Sequence, residues 1–523
     1  MIPLFKVFVA PEASKAVTDV LQSGFITQGK EVDEFEEKLS EWFEGFPRIV
    51  TLNSATSGLT LALRLLDLDD GDEVLCTPLT CWASNAPVLA NRLHIKWVDV
   101  DPDTCTMDLD DLERKLSPTT RAILCVHWGG QPIDMDRMCA IRDAYDPSIA
   151  IVEDCAHAFG ARAHNGKLVG TSHGNLCVFS TQAIKHLTTG DGGLLFLPTE
   201  EMYRRARLLR WYGIDRDARK SPKDFRMESD IVEWGYKFHM NDIAASIGSA
   251  NLPYIVCHLE HARSIASYYD RSLGGLSLPN GKSVVLDNTR GGLGAFWLYT
   301  LRIPGKPEFI TYMRDTHNVM TSQVHNRNDL HSCVSAFTAD LPQLCEIVND
   351  IVCIPIGPWV SLDDAHRIVL AIRQWCLQEN SDELRVRSIK VEDRAAYLDL
   401  LFQLNGHRVD LTDERWEEKL ALILTCSRIM VLEFQGQLIG SVKVVIEEKF
   451  GDPIAHVEDM VVDQNWRGLK LGQFLIQCAL ELGASSGCHK TVLHSKGSVA
   501  PFYLKQTFEC EGDGVSLVHR HRR

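Results

Sequence analysis

Six short apolar runs, RIVTLN, EVLCTP, IKWVDVD, RAILCVHW, IAIVED and NLCVFS, punctuate the chain between Arg48 and Ser180. Between them lie stretches with apolar residues at helical spacing, such as SGLTLALRLLDL and DMDRMCAIRDAY. A strand that is apolar on both faces must be covered on both, and an intervening helix lets neighbouring strands run parallel. The alternation therefore predicts an α/β fold with a largely parallel sheet between helices. Ligands of such sheets sit at the carboxyl ends of the strands, where loops enter helix N-termini.

At 523 residues the chain exceeds what one core usually organises, so two or three domains are expected. Beyond Cys376 the sequence turns polar (LQENSDE), and a new pattern begins at Leu384 with LRVRSIKVEDRAAYLDLL. A linker is expected at 377–383 between a first region, 1–376, and a second, 384–523. The net charge of −16 argues against nucleic acid as a main partner. The start, MIPLFKVFVAPEASKAV, has no secretory-signal pattern, and no apolar run of about 18 residues predicts a membrane span. The 16 cysteines are scattered without CxxC pairs, which reads as reduced thiols in a cytoplasmic protein and as no metal site.

Candidate chemistry falls at the predicted strand ends. In IVEDCAHAFGA, Asp154 closes a buried run, where an acid is costly without a charged partner such as a pyridinium nitrogen. A helix cap is the other reading. Lys185 follows the strand ending at Ser180, in a loop rich in threonine and glycine; alone it would be a solvated lysine. Thr56 and Ser57, with the first amides of the next helix, form a phosphate site or a plain cap. Trp82 follows another strand, to cover an aromatic ligand or to fill the core. A Schiff-base lysine, a carboxylate for a ring nitrogen, a phosphate cradle and an aromatic cover are what pyridoxal-phosphate chemistry requires.

The segments NSATSGLTLAL, GDEVLCTPLTCWAS, VHWGGQPIDMD, VEDCAHAFGA, FSTQAIKHLTTGDGG and GYKFHMNDIAASIG resemble the DegT-type sugar aminotransferases. That resemblance implies a fold-type I aminotransferase, with a mostly parallel seven-stranded sheet (about 1–250) and a small α+β subdomain (about 251–376). It implies that Lys185 condenses with the aldehyde of pyridoxal 5'-phosphate and moves the substrate proton. Asp154 would pair with the pyridine nitrogen and His157 would sit near the phenolic oxygen. Thr56, Ser57 and Ser180 would hold the phosphate, with Trp82 against the ring. Lys237 would reach the phosphate of a second subunit in a homodimer. The implied substrates are UDP-, dTDP- or GDP-linked 4-keto-6-deoxy sugars, or 3-keto sugars in some branches of the family, with glutamate as amino donor. His325, Arg327 and His331 lie where relatives shape the sugar pocket, or in a polar surface loop.

In the second region, IAHVEDMVVDQNWRGLKLGQFLIQCALELG reads as strand, short loop and amphipathic helix, with Arg467, Gly468 and Gly472 where amides can bind a pyrophosphate. With KTVLHSKGSVAPFYLKQTFE it resembles the GNAT acetyltransferases, most closely glucosamine 6-phosphate N-acetyltransferases. By that resemblance the region is an α+β domain using acetyl-CoA. The amides around Met460 and Val462 would hold the thioester, and Tyr503 would protonate the leaving thiolate; the other reading of Tyr503 is a core tyrosine. Glu458 and Asp459 would lie beside the acceptor amine. Lys470 stands where the loop usually has glycine, as in some of those relatives, and His494 stands where they carry a sugar-contacting aspartate, which leaves room for an amino sugar other than glucosamine 6-phosphate.

Together the halves suggest a sequential enzyme that installs an amine on a nucleotide sugar and then acetylates it. Three alternatives stand beside this reading. The two regions could act on different sugars, the first could be a non-catalytic binding or regulatory protein, or the second could be a CoA-binding structural module.

Overall fold

The computed structural model describes residues 1–216, 230–278, 281–379, 383–495, 499–506, 508–511 and 516–521. The chain divides into two compact units, one formed by Met1–Arg271 and Ser283–Ala365, the other by Ser272–Lys282 and His366–Arg523. Of the expected linker 377–383, residues 377–379 are the last turn of a helix, Leu362–Glu379, and 380–382 lie outside the described residues.

The first unit is built on a seven-stranded sheet: β1 (Ile49–Leu52), β2 (Glu73–Cys76), β3 (His94–Trp97), β4 (Thr120–Val126), β5 (Ala150–Asp154), β6 (Leu176–Ser180) and β7 (Gly193–Phe196). Their spatial order is β1-β7-β6-β5-β4-β2-β3. Each of the six apolar runs became one of the strands β1 to β6. β7 runs antiparallel to both of its neighbours, with Leu194 opposite Thr51 on one side and Phe179 on the other. The remaining pairings are parallel. Alternate residues enter different cores: Val74, Ala122, Leu124 and Val152 pack on one face, Leu75, Ile123, Cys125 and Ile151 on the other. Burial on both faces is why these strands are continuously apolar rather than alternating. An antiparallel pair, β8 (Tyr299–Arg302) and β9 (Ile351–Ile354), and the helices Ile255–Leu273 and Lys306–His317 follow.

The second unit contains another seven-stranded sheet: β10 (Leu384–Ser388), β11 (Ser427–Phe434), β12 (Gln437–Glu447), β13 (Ile454–Val462), β14 (Lys490–His494), β15 (Glu509–Glu511) and β16 (Ser516–Arg520), in the order β10-β11-β12-β13-β14-β16-β15. Only β13 and β14 pair in parallel, because the helix Leu471–Ser485 connects them and carries the chain back. Leu475, Ile476 and Ala479 are the buried stripe of that helix. The sixteen cysteines are free thiols. No helix among the described residues is long and apolar enough to cross a membrane.

Candidate functional site

At the carboxyl ends of β4, β5 and β6 the first unit encloses a cavity of about 580 Å3. Asp154, the last residue of β5, lines it and is 4 % exposed. The Ser84 hydroxyl donates to Asp154 Oδ2 at 2.7 Å and the Ala156 amide to Oδ1 at 3.0 Å. Burial pushes the Asp154 carboxyl above its ordinary range, although these two donors and nearby Lys185 pull the other way. Lys185 lines the same cavity, with Nζ 3.4 Å from the centre of the Trp297 ring. Burial pushes its ammonium down to about 7, against the attraction of Asp154. A lysine that sheds its proton near neutrality is suited to act as nucleophile and base.

His157 also lines the cavity and stacks on Trp297 at 3.9 Å between centres. His325 lies parallel to His157 at 5.8 Å. Burial, then the neighbouring Lys185, keeps His157 well below its usual range and pushes His325 down to about 4, so both rings are neutral. His157 Nδ1 and His325 Nε2 are buried without a hydrogen-bond partner among the described residues. Such atoms are costly unless a ligand completes them.

Thr56 and Ser180 line the cavity too, at the start of the helix Ala55–Arg64 and the end of β6. Ser54 caps that helix by accepting from the Ser57 amide, while the Ser57 hydroxyl donates to Asn53 at 2.7 Å. Ser57 is thereby a member of the turn's own hydrogen-bond network, whereas Thr56 faces the cavity. Gly193 allows the turn to sit against β7: a Cβ there would lie 2.5 Å from the Ala55 nitrogen.

Other expected residues stand elsewhere. Trp82 meets His331 edge-on at 5.1 Å and is not among the cavity's lining residues. Arg327 and His331 line a second recess of about 620 Å3, where Arg327 is held by Asp329 at 2.6 Å. Lys237 places Nζ 3.6 Å over the Trp211 ring and does not line the first cavity. Burial and then Arg216 lower its pKa.

In the second unit, β13 pairs with β14 only from Ile454 to Val457; beyond Val457 no described residue pairs with that edge. The other edge carries a bulge, where Asp459 and Met460 oppose Val442 and Asp459 adopts a φ of 47°. Glu458 to Val462 therefore offer backbone groups to a ligand along the opened side. The turn that follows has Gly468 at φ 85° and Lys470 at φ 61°, ψ 7°, the left-handed conformation that glycine takes most cheaply. Lys470 is the N-cap of the helix Leu471–Ser485 but makes no side-chain cap; the Gln473 amide donates to the Lys470 carbonyl at 3.0 Å, while the Leu471 and Gly472 amides have no acceptor among the described residues and are open to an anion. Arg467 Nε donates to the Val462 carbonyl at 3.0 Å. A Cβ on Gly472 would lie 3.3 Å from Phe502 and 3.9 Å from Val462, so the turn, the opened strand and the helix Ala500–Leu504 converge. Tyr503 neighbours Phe502 at 5.0 Å, and burial raises its pKa. His494 faces Ser516 at 3.2 Å.

Residues 9–373 match the DegT/DnrJ/EryC1/StrS aminotransferase family. The chain belongs to this family. Residues 395–508 match the acetyltransferase (GNAT) family, so the aminotransferase carries a C-terminal GNAT domain. Among solved structures, AtS13 of Actinomadura melliaura is 46% identical with a TM-score of 0.67, covering 71% of this chain and 98% of its own. The sugar aminotransferase CalS13 of Micromonospora echinospora is 42% identical with a TM-score of 0.66, covering 71% and 99%. The spore coat polysaccharide biosynthesis protein SpsC of Bacillus subtilis is 29% identical over 70% of this chain and 94% of its own.

This DegT-family aminotransferase is an enzyme that uses pyridoxal phosphate, and its GNAT domain uses acetyl-CoA. The cavity residues fit the first group. A buried acid, a desolvated amine, two unsatisfied imidazole nitrogens and a capped helix start surround one volume. Trp297 and Ser84 were not singled out from the sequence. Ser84 ends the quoted segment GDEVLCTPLTCWAS, two residues after Trp82, but nothing local marks Trp297, which reaches Lys185 from 112 positions further along the chain.

Proposed function

We propose that the enzyme converts a nucleotide-linked 4-keto-6-deoxy sugar to the 4-amino sugar, with glutamate as donor, and then acetylates the new amine. The observation that carries the first half is the buried amine of Lys185 sharing a cavity with Asp154 and the unpartnered nitrogens of His157 and His325. When bound, pyridoxal phosphate supplies an aldehyde that condenses with amines and a ring that takes up electrons. Asp154 would keep a proton on the ring nitrogen, His157 would serve the phenolic oxygen, and Thr56 and Ser180 would hold the phosphate together with Ser57, whose hydroxyl would have to turn from Asn53. Lys185, whose amine sheds its proton near pH 7, would take the proton from the amino-bearing carbon of glutamate in one half of the cycle and deliver a proton to C4 of the sugar in the other. Lys237 serves the phosphate of a second copy in a homodimer, with its positive charge and no carboxylate partner among the described residues.

In the GNAT domain the opened edge of β13 holds the acyl-CoA arm through backbone groups at Met460 and Val462. Arg467, Gly468, Lys470 and Gly472 form the pyrophosphate turn, Tyr503 protonates the thiolate, and Glu458 and Asp459 face the acceptor. We place the aminotransferase at 1–376 and the acetyltransferase at 384–523. Fusion puts the two successive catalysts in one polypeptide.

The test supplies purified enzyme with a panel of UDP-, dTDP- and GDP-linked 4-keto-6-deoxy sugars, glutamate, pyridoxal phosphate and acetyl-CoA, read by mass spectrometry. An acetamido nucleotide sugar should form without a second protein. Amination without acetylation would break the shared-substrate reading, and no amination of any sugar would overturn the first half.

A further inference from the structure

The acid pair of the GNAT domain already holds a cation belonging to the chain itself. Lys443, on β12, places Nζ 2.9 Å from Glu458 Oε2 and 2.9 Å from Asp459 Oδ2. Consecutive residues of a regular strand point to opposite faces. Here the bulge and the left-handed backbone of Asp459 bring two consecutive carboxylates onto one ammonium. Lys443 is 20% exposed at its side chain, Asp459 36% and Glu458 51%, so the acids keep an open side while the lysine lies beneath. Tyr397, on the helix Arg394–Asn405, is a further titratable group beside the cluster among the described residues; burial and then Asp459 push its hydroxyl up to about 12, so it stays neutral. Burial works against the Lys443 ammonium, but hydrogen bonds to both carboxylates keep it above its ordinary range.

We propose that Lys443 is a positioning residue for acetyl transfer: it cancels one of the two carboxylate charges, so that the pair accepts a hydrogen bond from the acceptor as a free amine instead of trapping it as an ammonium. This rests on the reading above that Glu458 and Asp459 lie beside the acceptor. The attacking nitrogen needs its lone pair. As the C–N bond forms, that nitrogen loses a proton, and as the C–S bond breaks, the sulfur takes one. Two uncompensated carboxylates would raise the pKa of a bound amine and withhold the free base at neutral pH. With Lys443 in place the cluster carries one net negative charge, enough to orient an N–H without fixing a second proton.

The kinetic test uses full-length enzyme, acetyl-CoA and dTDP-4-amino-4,6-dideoxy-D-glucose as acceptor. Lys443→Met should move the acid limb of the kcat profile up by about one pH unit, the shift expected from a unit charge removed at some 5 Å under an intermediate dielectric. It should also lower the acceptor KM and leave CoA affinity unchanged. Lys443→Gln should shift the limb alike, and Lys443→Arg should restore the wild-type limb. An unmoved limb in both neutral variants overturns the proposal. An acceptor-free arm treats wild-type protein with a carbodiimide. An amide between Lys443 and Glu458 or Asp459, found by peptide mass spectrometry, supports the pairing, and its absence with efficient labelling elsewhere overturns it. If wild-type enzyme acetylates no amino sugar, the functional reading fails, while the carbodiimide result still decides the Lys443 pairing.

Discussion

The two sites solve the problem of holding a reactive group by opposite means. In the aminotransferase cavity the chemistry resides in side chains, and burial is the tool: it drives Lys185 toward its free base, Asp154 toward its acid, and His157 and His325 to neutrality. In the GNAT domain the ligand groups are largely backbone, offered by a strand whose parallel pairing stops at Val457 and by an uncapped helix start. Its acids remain open on one side and are compensated by an ion pair. A buried side-chain site is tuned by desolvation, and an open backbone site by geometry. Substitutions should therefore act through desolvation in the first, and through backbone conformation or the compensating Lys443 charge in the second.

The sharpest way to break that contrast is to disable each site alone. Lys185→Ala should lower amination by about 10^4-fold or more while acetyl transfer to a supplied amino sugar persists; parallel loss of both would mean the sites are not separable. Asp154→Asn should reduce amination by about 10^2- to 10^3-fold, the scale of losing a charge placed for the reacting system. Tyr503→Phe should lower acetyl transfer about 10^2-fold with CoA binding retained, measured by calorimetry. Retained transfer would return Tyr503 to the core.

The role of desolvation is read directly from Lys185 in cofactor-free protein. Its competitive acetylation by acetic anhydride should rise with a midpoint near pH 7, whereas exposed lysines titrate near 10.5. A buried amine favours the uncharged form, so the neutral fraction grows as pH climbs through 7. A midpoint near 10 would refute burial as the tuning agent. The smallest expected effect concerns the pyrophosphate turn. Lys470→Gly should relieve the left-handed strain and stabilise the protein by about 1 kcal/mol in denaturant unfolding, while weakening CoA binding through the lost cation.

Much of the fold was legible because its signals are local. The six apolar runs of the sheet needed only burial on both faces to be recognised, and the loop residues Asp154, Ser180 and Lys185 were marked by their position at strand ends. β7 was different: four residues behind a glycine-rich loop carry too little pattern, and the strand follows instead from the resemblance to sugar aminotransferases. Trp82 illustrates a limit of spacing. Its sequence position suits a ring cover, but its ring meets His331. Arg327 is likewise engaged by Asp329 in a separate recess, a pairing that residue order alone does not reveal.

The sequence by itself determined the α/β alternation and the residue types for pyridoxal-phosphate chemistry, because strand burial and helix starts are properties of neighbouring residues; the acetyl-CoA reading of the second region came from its resemblance to GNAT acetyltransferases. Tertiary structure alone decided which charges face one another. Trp297 against Lys185, and Lys443 beneath Glu458 and Asp459, meet only through chain crossings and a bulge. Electrostatic environment depends on distance in space and on exclusion of water, neither of which is carried by position along the chain.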